Sequence, residues 1–446
     1  MKNCPVSRRP GRCLRGLIRY FTRRYPHPDP VHIAPALPGN RVQLLVNGNE
    51  AFPEMLAMIH SAEHSIRWQV MLFHPDEVGR QLVDALAAAA QRGVRVQLSF
   101  GIGQSVNGSV ADRVPRDTKQ RHNQQMRLLL GLLRGAGVDV RENPAGMNFS
   151  LAAAGPRARA IQCSIGSAVC ISANHYDHRK LLVVDGRKAL IGGMNVGRNY
   201  LYETAPDPAL TMADEVRQRQ AQGLPEAWDK WFDVAMTLEG PVVAEIIAAF
   251  NWKWEVLGGA ALPPEAPSPT AGTTAVQFLE QRPDYAQIST RLFELIGAAK
   301  REIWVASPFI SYTLAVDALR AAARRGVRVV LVVPNAFQEM PVSGNIFNEF
   351  VPDLLAAGVE VRFNDQRMAH TKLLVVDGQF TLLGSFNLNF RSFHHDLEVA
   401  GVINDTDFAS SVIQRVFHPY LAISNRVHSF ARPPFSLFNW VIRPIT

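Results

Sequence analysis

A chain of 446 residues with 47% hydrophobic content is long for one core and too apolar for chain-wide disorder, so two globular domains are expected. The formal charge is +8, yet Lys2, Arg8, Arg9, Arg12, Arg15, Arg19, Arg23 and Arg24 all precede the first acid, Asp29. The remainder is close to neutral, which argues against a broad nucleic-acid groove and for a local basic arm. Four cysteines, Cys4, Cys13, Cys163 and Cys170, are too few for a disulfide framework and none stands in a tight zinc-type pair.

In chain order, residues 1–40 form the basic arm. Leu14, Leu17, Ile18, Phe21 and Tyr25 fall at helical spacing, with Arg12, Arg15, Arg19 and Arg23 mostly on the other side. This reads as an interfacial helix, each cation contributing about 1 kcal/mol near an anionic leaflet. A disordered basic tail and an Arg-rich targeting peptide share that composition. No stretch approaches some 18 uninterrupted apolar residues, so the expectation is a soluble or peripheral protein, not an integral one.

Residues 41–257 and 275–425 read as two α/β halves joined by a Pro-, Gly- and Ser-rich linker, 258–274. The first offers IRWQVMLF, a helix from Val78 to Arg92, and VRVQLSF; the second offers EIWVAS, a helix from Leu314 to Arg325, and VRVVLVV. Strands alternating with amphipathic helices predict a mostly parallel sheet covered on both faces. Three blocks recur in the same order: AAAQRGVRV as AAARRGVRV, AGVDVREN as AGVEVRFN, and LLVVDG letter for letter. Such self-similarity marks a duplicated domain. The separation between copies shrinks along the chain, so the first half carries insertions of 12 residues within Gly101–Leu128 and 29 within Asn143–Asn174. The second insertion reads as a loop beside the site, either a lid or a passive surface excursion. The aromatic tail, 426–446, either dips into a membrane interface or docks back on the second domain.

The chemistry lies in HRKLLVVDGRKALIGGMN, residues 178–195, whose His178, Lys180, Asp185 and Asn195 are matched at identical spacing by His370, Lys372, Asp377 and Asn387. Residues two apart on a strand share a face, so each His and Lys can address one ligand. A single chance match has odds on the order of 10⁻⁴, and two copies are far rarer. The chain holds 8 lysines against 39 arginines, yet both motif positions keep the compact ammonium. Asp185 and Asp377, each before a glycine, suit either turn chemistry or a direct role in orienting the histidines.

These motifs resemble the phospholipase D superfamily and, within it, the bacterial cardiolipin synthases. The resemblance runs from Val42 to Tyr420 and includes GGMN against GSFN, WFDVAMTLEGPVV at Trp231–Val243 and NFRSFHHDLEVA at Asn389–Ala400. It implies two tandem α/β/α sandwich domains related by pseudo-twofold symmetry, with the motifs facing each other in one shared active site. His178 would attack phosphorus and His370 would serve as acid and base, with Lys180, Lys372, Asn195 and Asn387 holding the phosphoryl oxygens and no metal or other cofactor required. Glu398 and Asp233 match acidic positions that would orient the opposite histidine. Departures from the family pattern are Phe100 where an Asp is usual, Asp396 where an Asn is usual, and the first insertion.

The resemblance implies transfer of a phosphatidyl group to an alcohol, cardiolipin arising from phosphatidylglycerol. Hydrolysis to phosphatidic acid ranks second and a nuclease third, disfavoured by the near-neutral body. A scaffold without activity would predict erosion of one motif, and both are intact. The expected setting is the periphery of an anionic membrane, at the cytoplasmic face of a bacterial inner membrane, with no nucleic-acid partner.

Overall fold

The computed structural model describes residues 31–102, 105, 116–143, 176–201, 231–335, 341–364, 368–434, 436, 438, 439 and 443. The basic helix of the arm, the four cysteines, the body of both insertions and Trp440, Val441 and Ile442 of the tail lie outside the described residues.

Among the described residues the duplication seen in the sequence becomes one continuous sheet of 16 strands, fifteen in line and Tyr285–Ala286 paired to the side of Thr274–Arg282. From its outer edge the first half runs Asp139–Glu142, Arg95–Phe100, Ser65–Gln69, Leu181–Val184, Lys188–Gly192, Val234–Glu239 and Leu37–Val46. The second repeats that order outward from the centre: Thr274–Arg282, Glu398–Asn404, Phe380–Gly384, Leu373–Val376, Glu302–Ala306, Arg328–Pro334 and Glu360–Asn364, with Ser424–Arg426 added at the edge. The halves join where Leu37–Val46 and Thr274–Arg282 pair antiparallel, as a pseudo-twofold axis requires.

Within this sheet parallel pairing, expected to dominate, is confined to three motif-free strands of each half, Ser65–Gln69, Arg95–Phe100 and Asp139–Glu142 in the first and Glu302–Ala306, Arg328–Pro334 and Glu360–Asn364 in the second; its other pairs are antiparallel. The cause is local. Asp185 and Gly186 have φ of 50° and 63°, and Asp377 and Gly378 have 53° and 61°. Positive φ at both central residues makes a tight turn whose twist suits a hairpin, so the chain folds straight back after LLVV and cannot cross over.

Alternation along LLVV divides the core. Leu181 and Val183 enter a central cluster shared by both halves, while Leu182 and Val184 enter the first half's own cluster. Leu373 and Val375 join the same central cluster, with Leu374 and Val376 turned to the second half's. Each buried Leu or Val contributes about 1.5–3 kcal/mol, so a slip of one residue would be costly and the register is firmly set. Phe250 and Trp254 of the helix Val243–Val256, with Phe417 and Tyr420, also fill the shared cluster.

The linker is strapped down: Glu265 bonds the fully buried Arg67 at 2.9 Å and also accepts from Ser65 Oγ. The described part of the tail docks on the second half, where Phe430 packs on Phe363 and Asn439 bonds Glu349 at 3.0 Å. Among the described residues no helix is long and apolar enough to cross a membrane.

Candidate active site

The first motif strand runs antiparallel to Ser65–Gln69, with Gln69 opposite Leu181. His178 and Lys180 therefore sit at the carboxyl end of the parallel strands, the end where open α/β sheets place ligands. Two short crossings carry the motifs from one half into the other. His178 N donates to Leu397 O at 2.9 Å, beside a parallel bridge between Asp177 and Leu397. His370 N donates to Phe232 O at 2.9 Å, where Met368–Ala369 pairs in parallel with Trp231–Phe232.

Because the crossings are reciprocal, each histidine meets the other half's carboxylate. His178 Nδ1 lies 2.9 and 3.1 Å from the two Glu398 oxygens, and His370 Nδ1 lies 2.7 Å from Asp233 Oδ2. An Nδ1–H given to a carboxylate leaves Nε2 of each ring for chemistry. Lys180 Nζ donates to the His178 carbonyl at 2.6 Å; Lys372 Nζ donates to the His370 carbonyl at 2.5 Å and stands 2.8 Å from His370 Nδ1 and 3.0 Å from its Nε2. Asp177 and Arg179, on the opposite face by the two-residue period, close on each other at 2.8 and 2.9 Å, and Arg179 also donates to Ala249 O.

The carboxylates are held differently. Glu398 accepts from Ser392 Oγ at 2.6 Å and from Ser385 Oγ. Asp233 has Gly193 where Ser385 stands in the other half, and a Cβ on Gly193 would lie 2.5 Å from Asp233 Oδ1. Instead Asn47, at φ 59°, grips the Asp233 backbone through Asn47 N to Asp233 O and Asp233 N to Asn47 Oδ1. The preceding motif glycines are obligatory as well: a Cβ on Gly192 would lie 2.7 Å from Val234 O, and one on Gly384 2.1 Å from Val399 O.

Burial drives every titratable group in this pocket toward neutrality. Burial, then the charges of Lys180 and Lys372, hold His178 well below the ordinary imidazole range; for His370 burial acts with Lys372, Lys180 and His178 itself. Lys180 and Lys372 thus act on both rings. Burial lowers Lys180 to about 7 against the pull of Glu398, and Lys372 to about 8 against Asp233 and Glu398. Burial also raises Asp233 to about 7 against Lys372, and Glu398 to about 7 against Lys180 and the two serine hydroxyls. A bound phosphodiester would supply the anion that the lysines lack.

Asp185 and Asp377 stand apart from this cluster. The Asp185 carboxylate accepts from the backbone N–H of Glu63, His64 and Ser65 at 2.7–2.8 Å. Asp377 accepts likewise from Lys300, Arg301 and Glu302. Both aspartates thus fasten the turns, while the histidine Nδ1 atoms face Glu398 and Asp233. Asn195 bonds Leu72 N through Oδ1 and Tyr200 through Nδ2, whereas Asn387 Oδ1 is buried with no partner.

Ser392 and the aromatic surround of His370 escaped sequence reading. Trp231 lies 4.6 Å from the His370 ring, Tyr200 6.0 Å and Phe309 6.3 Å. For Trp231 a signal existed, since it precedes Asp233 by two in an extended segment and so shares its face. Ser392 is aimed by Asn389, whose side chain caps the short helix Phe390–His394.

A family model described as cardiolipin synthase, PLD-like domain, matches residues 55–216 and 292–418. A probable cardiolipin synthase of Bacillus subtilis (strain 168) is 26% identical over 377 residues, 82% of this chain and 63% of that protein. The chain therefore spans less than two thirds of that relative. Cardiolipin synthase A of Pseudomonas syringae pv. syringae (strain B728a) is 30% identical over 387 residues, 85% of this chain and 68% of that protein. In fold, the chain is similar to the phosphatidylserine synthase of Haemophilus influenzae Rd KW20, with a TM-score of 0.59, 11% identity and 87% of each chain covered.

Proposed function

The chain belongs to the cardiolipin synthase, PLD-like family, and on that premise we propose that it transfers a phosphatidyl group from one phospholipid to an alcohol of another, making cardiolipin from phosphatidylglycerol. The observation that carries this reading is the pair of crossed histidine–carboxylate contacts, His178 with Glu398 and His370 with Asp233, beside two buried lysines. That set supplies a nucleophile, an acid/base and positive charge for a phosphodiester.

In the proposed course His178 Nε2 attacks phosphorus and the bond to the departing glycerol oxygen breaks. His370, protonated once the anionic substrate is bound, gives that oxygen its proton. The incoming hydroxyl then returns a proton to His370 Nε2 as its oxygen bonds phosphorus and the P–N bond breaks. Lys180 and Lys372 hold the non-bridging oxygens, with Asn387 as a further contact and Asn195 placing Tyr200 and the Leu72 backbone. Hydrolysis differs only in that water replaces the second alcohol.

The work site is proposed as the periphery of an anionic bilayer on the cytoplasmic face of a bacterial inner membrane, supported by the clustering of cations before Asp29. Labelled phosphatidylglycerol vesicles test the whole reading. A dimeric phospholipid plus free glycerol is expected. Phosphatidic acid as sole product would make the protein a hydrolase, and cleavage of single-stranded DNA without lipid turnover would make it a nuclease.

A further inference from the structure

The two histidines occupy unlike surroundings although the halves that carry them are copies. His178 sits among polar groups: Glu398 with its serines, and, two residues before it, Tyr176, whose N–H donates to Asp396 and whose ring lies 4.1 Å from the Arg391 guanidinium. His370 keeps Asp233 and Lys372 as polar contacts, but the rest of its surround is aromatic. Trp231 tilts over it, Tyr200 meets it edge-on from a fully buried position, and Phe309 closes from the second half. Tyr200 and Trp231 also support each other at 5.5 Å. Behind the His370 strand stand Ala369 and Thr371, where the first motif has the charged Asp177 and Arg179. The His370 side chain is 5% exposed against 12% for His178, and Trp231 and Phe309, both half-buried, reach from beside that imidazole to the surface.

We infer that Trp231, with Phe309 and Tyr200, forms an apolar collar that decides whether the phosphatidyl-enzyme is resolved by an alcohol or by water. The inference rests on the transfer reading above, with His370 as the group that accepts a proton from whichever hydroxyl attacks. Water competes at far higher concentration than any lipid headgroup, so transfer needs a device that keeps it from the base. Aromatic faces over His370 exclude isolated water, while the carbon skeleton of a glycerol packs on them and delivers its hydroxyl. Trp231 is in this view a specificity residue, since both fates share every other step.

The measurement is the ratio of phosphatidic acid to dimeric phospholipid formed by the full chain from labelled phosphatidylglycerol vesicles. Trp231→Ala is expected to raise that ratio at least about tenfold, the scale on which apolar contacts discriminate. Phe309→Ala should shift it in the same direction, and Trp231→Phe should restore most of the wild-type partition. A structural role would slow both products together and leave the ratio unmoved, and the ratio is readable even where little active enzyme survives. An unchanged ratio in both alanine variants overturns the collar. If the wild type itself yields phosphatidic acid alone, the transfer reading fails and the collar with it; wild-type transfer with unchanged variant ratios leaves that reading standing.

Discussion

A neutral imidazole can attack phosphorus and a cationic one can protonate an alcohol, and this pocket starts with both rings pushed to the neutral side by burial and the lysines. In the proposed mechanism the substrate's charge would become part of the catalyst, because an anion between Lys180 and Lys372 favours protonation around it. His178→Ala and His370→Ala are each expected to lower turnover by at least about 10³, because each acts in both half-reactions. Product formation by purified, folded variants checks this, and near-native rate in either variant would refute the assignment. The lysines make a second prediction. Their values of about 7 and about 8 lie below the 10.5 of a free lysine, so between these limits the unfolded chain binds more protons and their contribution to stability rises with pH. Anion binding takes the opposite sign, since it needs the protonated ammonium. Inhibition by sulfate, whose charge is constant over this range, should weaken by up to about tenfold per pH unit between 7 and 8 and more steeply above 8, where both lysines lose their protons; a flat profile would contradict the buried-lysine picture.

At the scale of elements, the hairpin after LLVV is the device that aims the site. Its Asp gathers three amides from the loop entering the neighbouring strand, at Glu63–Ser65 in one half and Lys300–Glu302 in the other. Against the upward push of partial burial, the amides of Arg301, Glu302 and Lys300 hold Asp377 below the usual carboxylate range. Asp185→Asn and Asp377→Asn keep a residue that tolerates positive φ but turn one acceptor into a donor facing an N–H. Each should cost about 1–3 kcal/mol in urea unfolding, with turnover per folded molecule little changed. A collapse of turnover at unchanged stability would return these aspartates to the catalytic set. The spacing could not separate the two roles, because a turn Asp before Gly and a catalytic Asp look alike until the amides around it are known.

At the scale of the molecule, the halves share both a sheet and a core. Leu37–Val46 pairs with Thr274–Arg282, and Leu181, Val183, Leu373 and Val375 meet in one cluster. Two copies built this way should unfold together. Tryptophan fluorescence, reporting Trp68 and Trp254 in one half and Trp304 in the other, and far-ultraviolet dichroism should give coincident urea transitions. Two separated transitions would show halves that stand alone. The site depends on that union, since the carboxylate for each histidine comes from the opposite half.

By itself the sequence determined the duplication and the α/β character, and it singled out His178, Lys180, His370 and Lys372 and, through the family resemblance, the acids Glu398 and Asp233 as candidates. These follow from period-two patterning and from matched spacing, both of which are local properties of a chain. Only the tertiary structure decided that the sheet is mixed and continuous, that Asp185 and Asp377 fasten turns, and that one histidine sits among serines and an ion pair while the other sits among aromatic rings. Those facts concern residues such as Trp231 and Phe309, or Ser65 and Asp185, which meet only when distant segments pair. Strand register and close packing bring them together, and neither is a function of any one stretch of sequence.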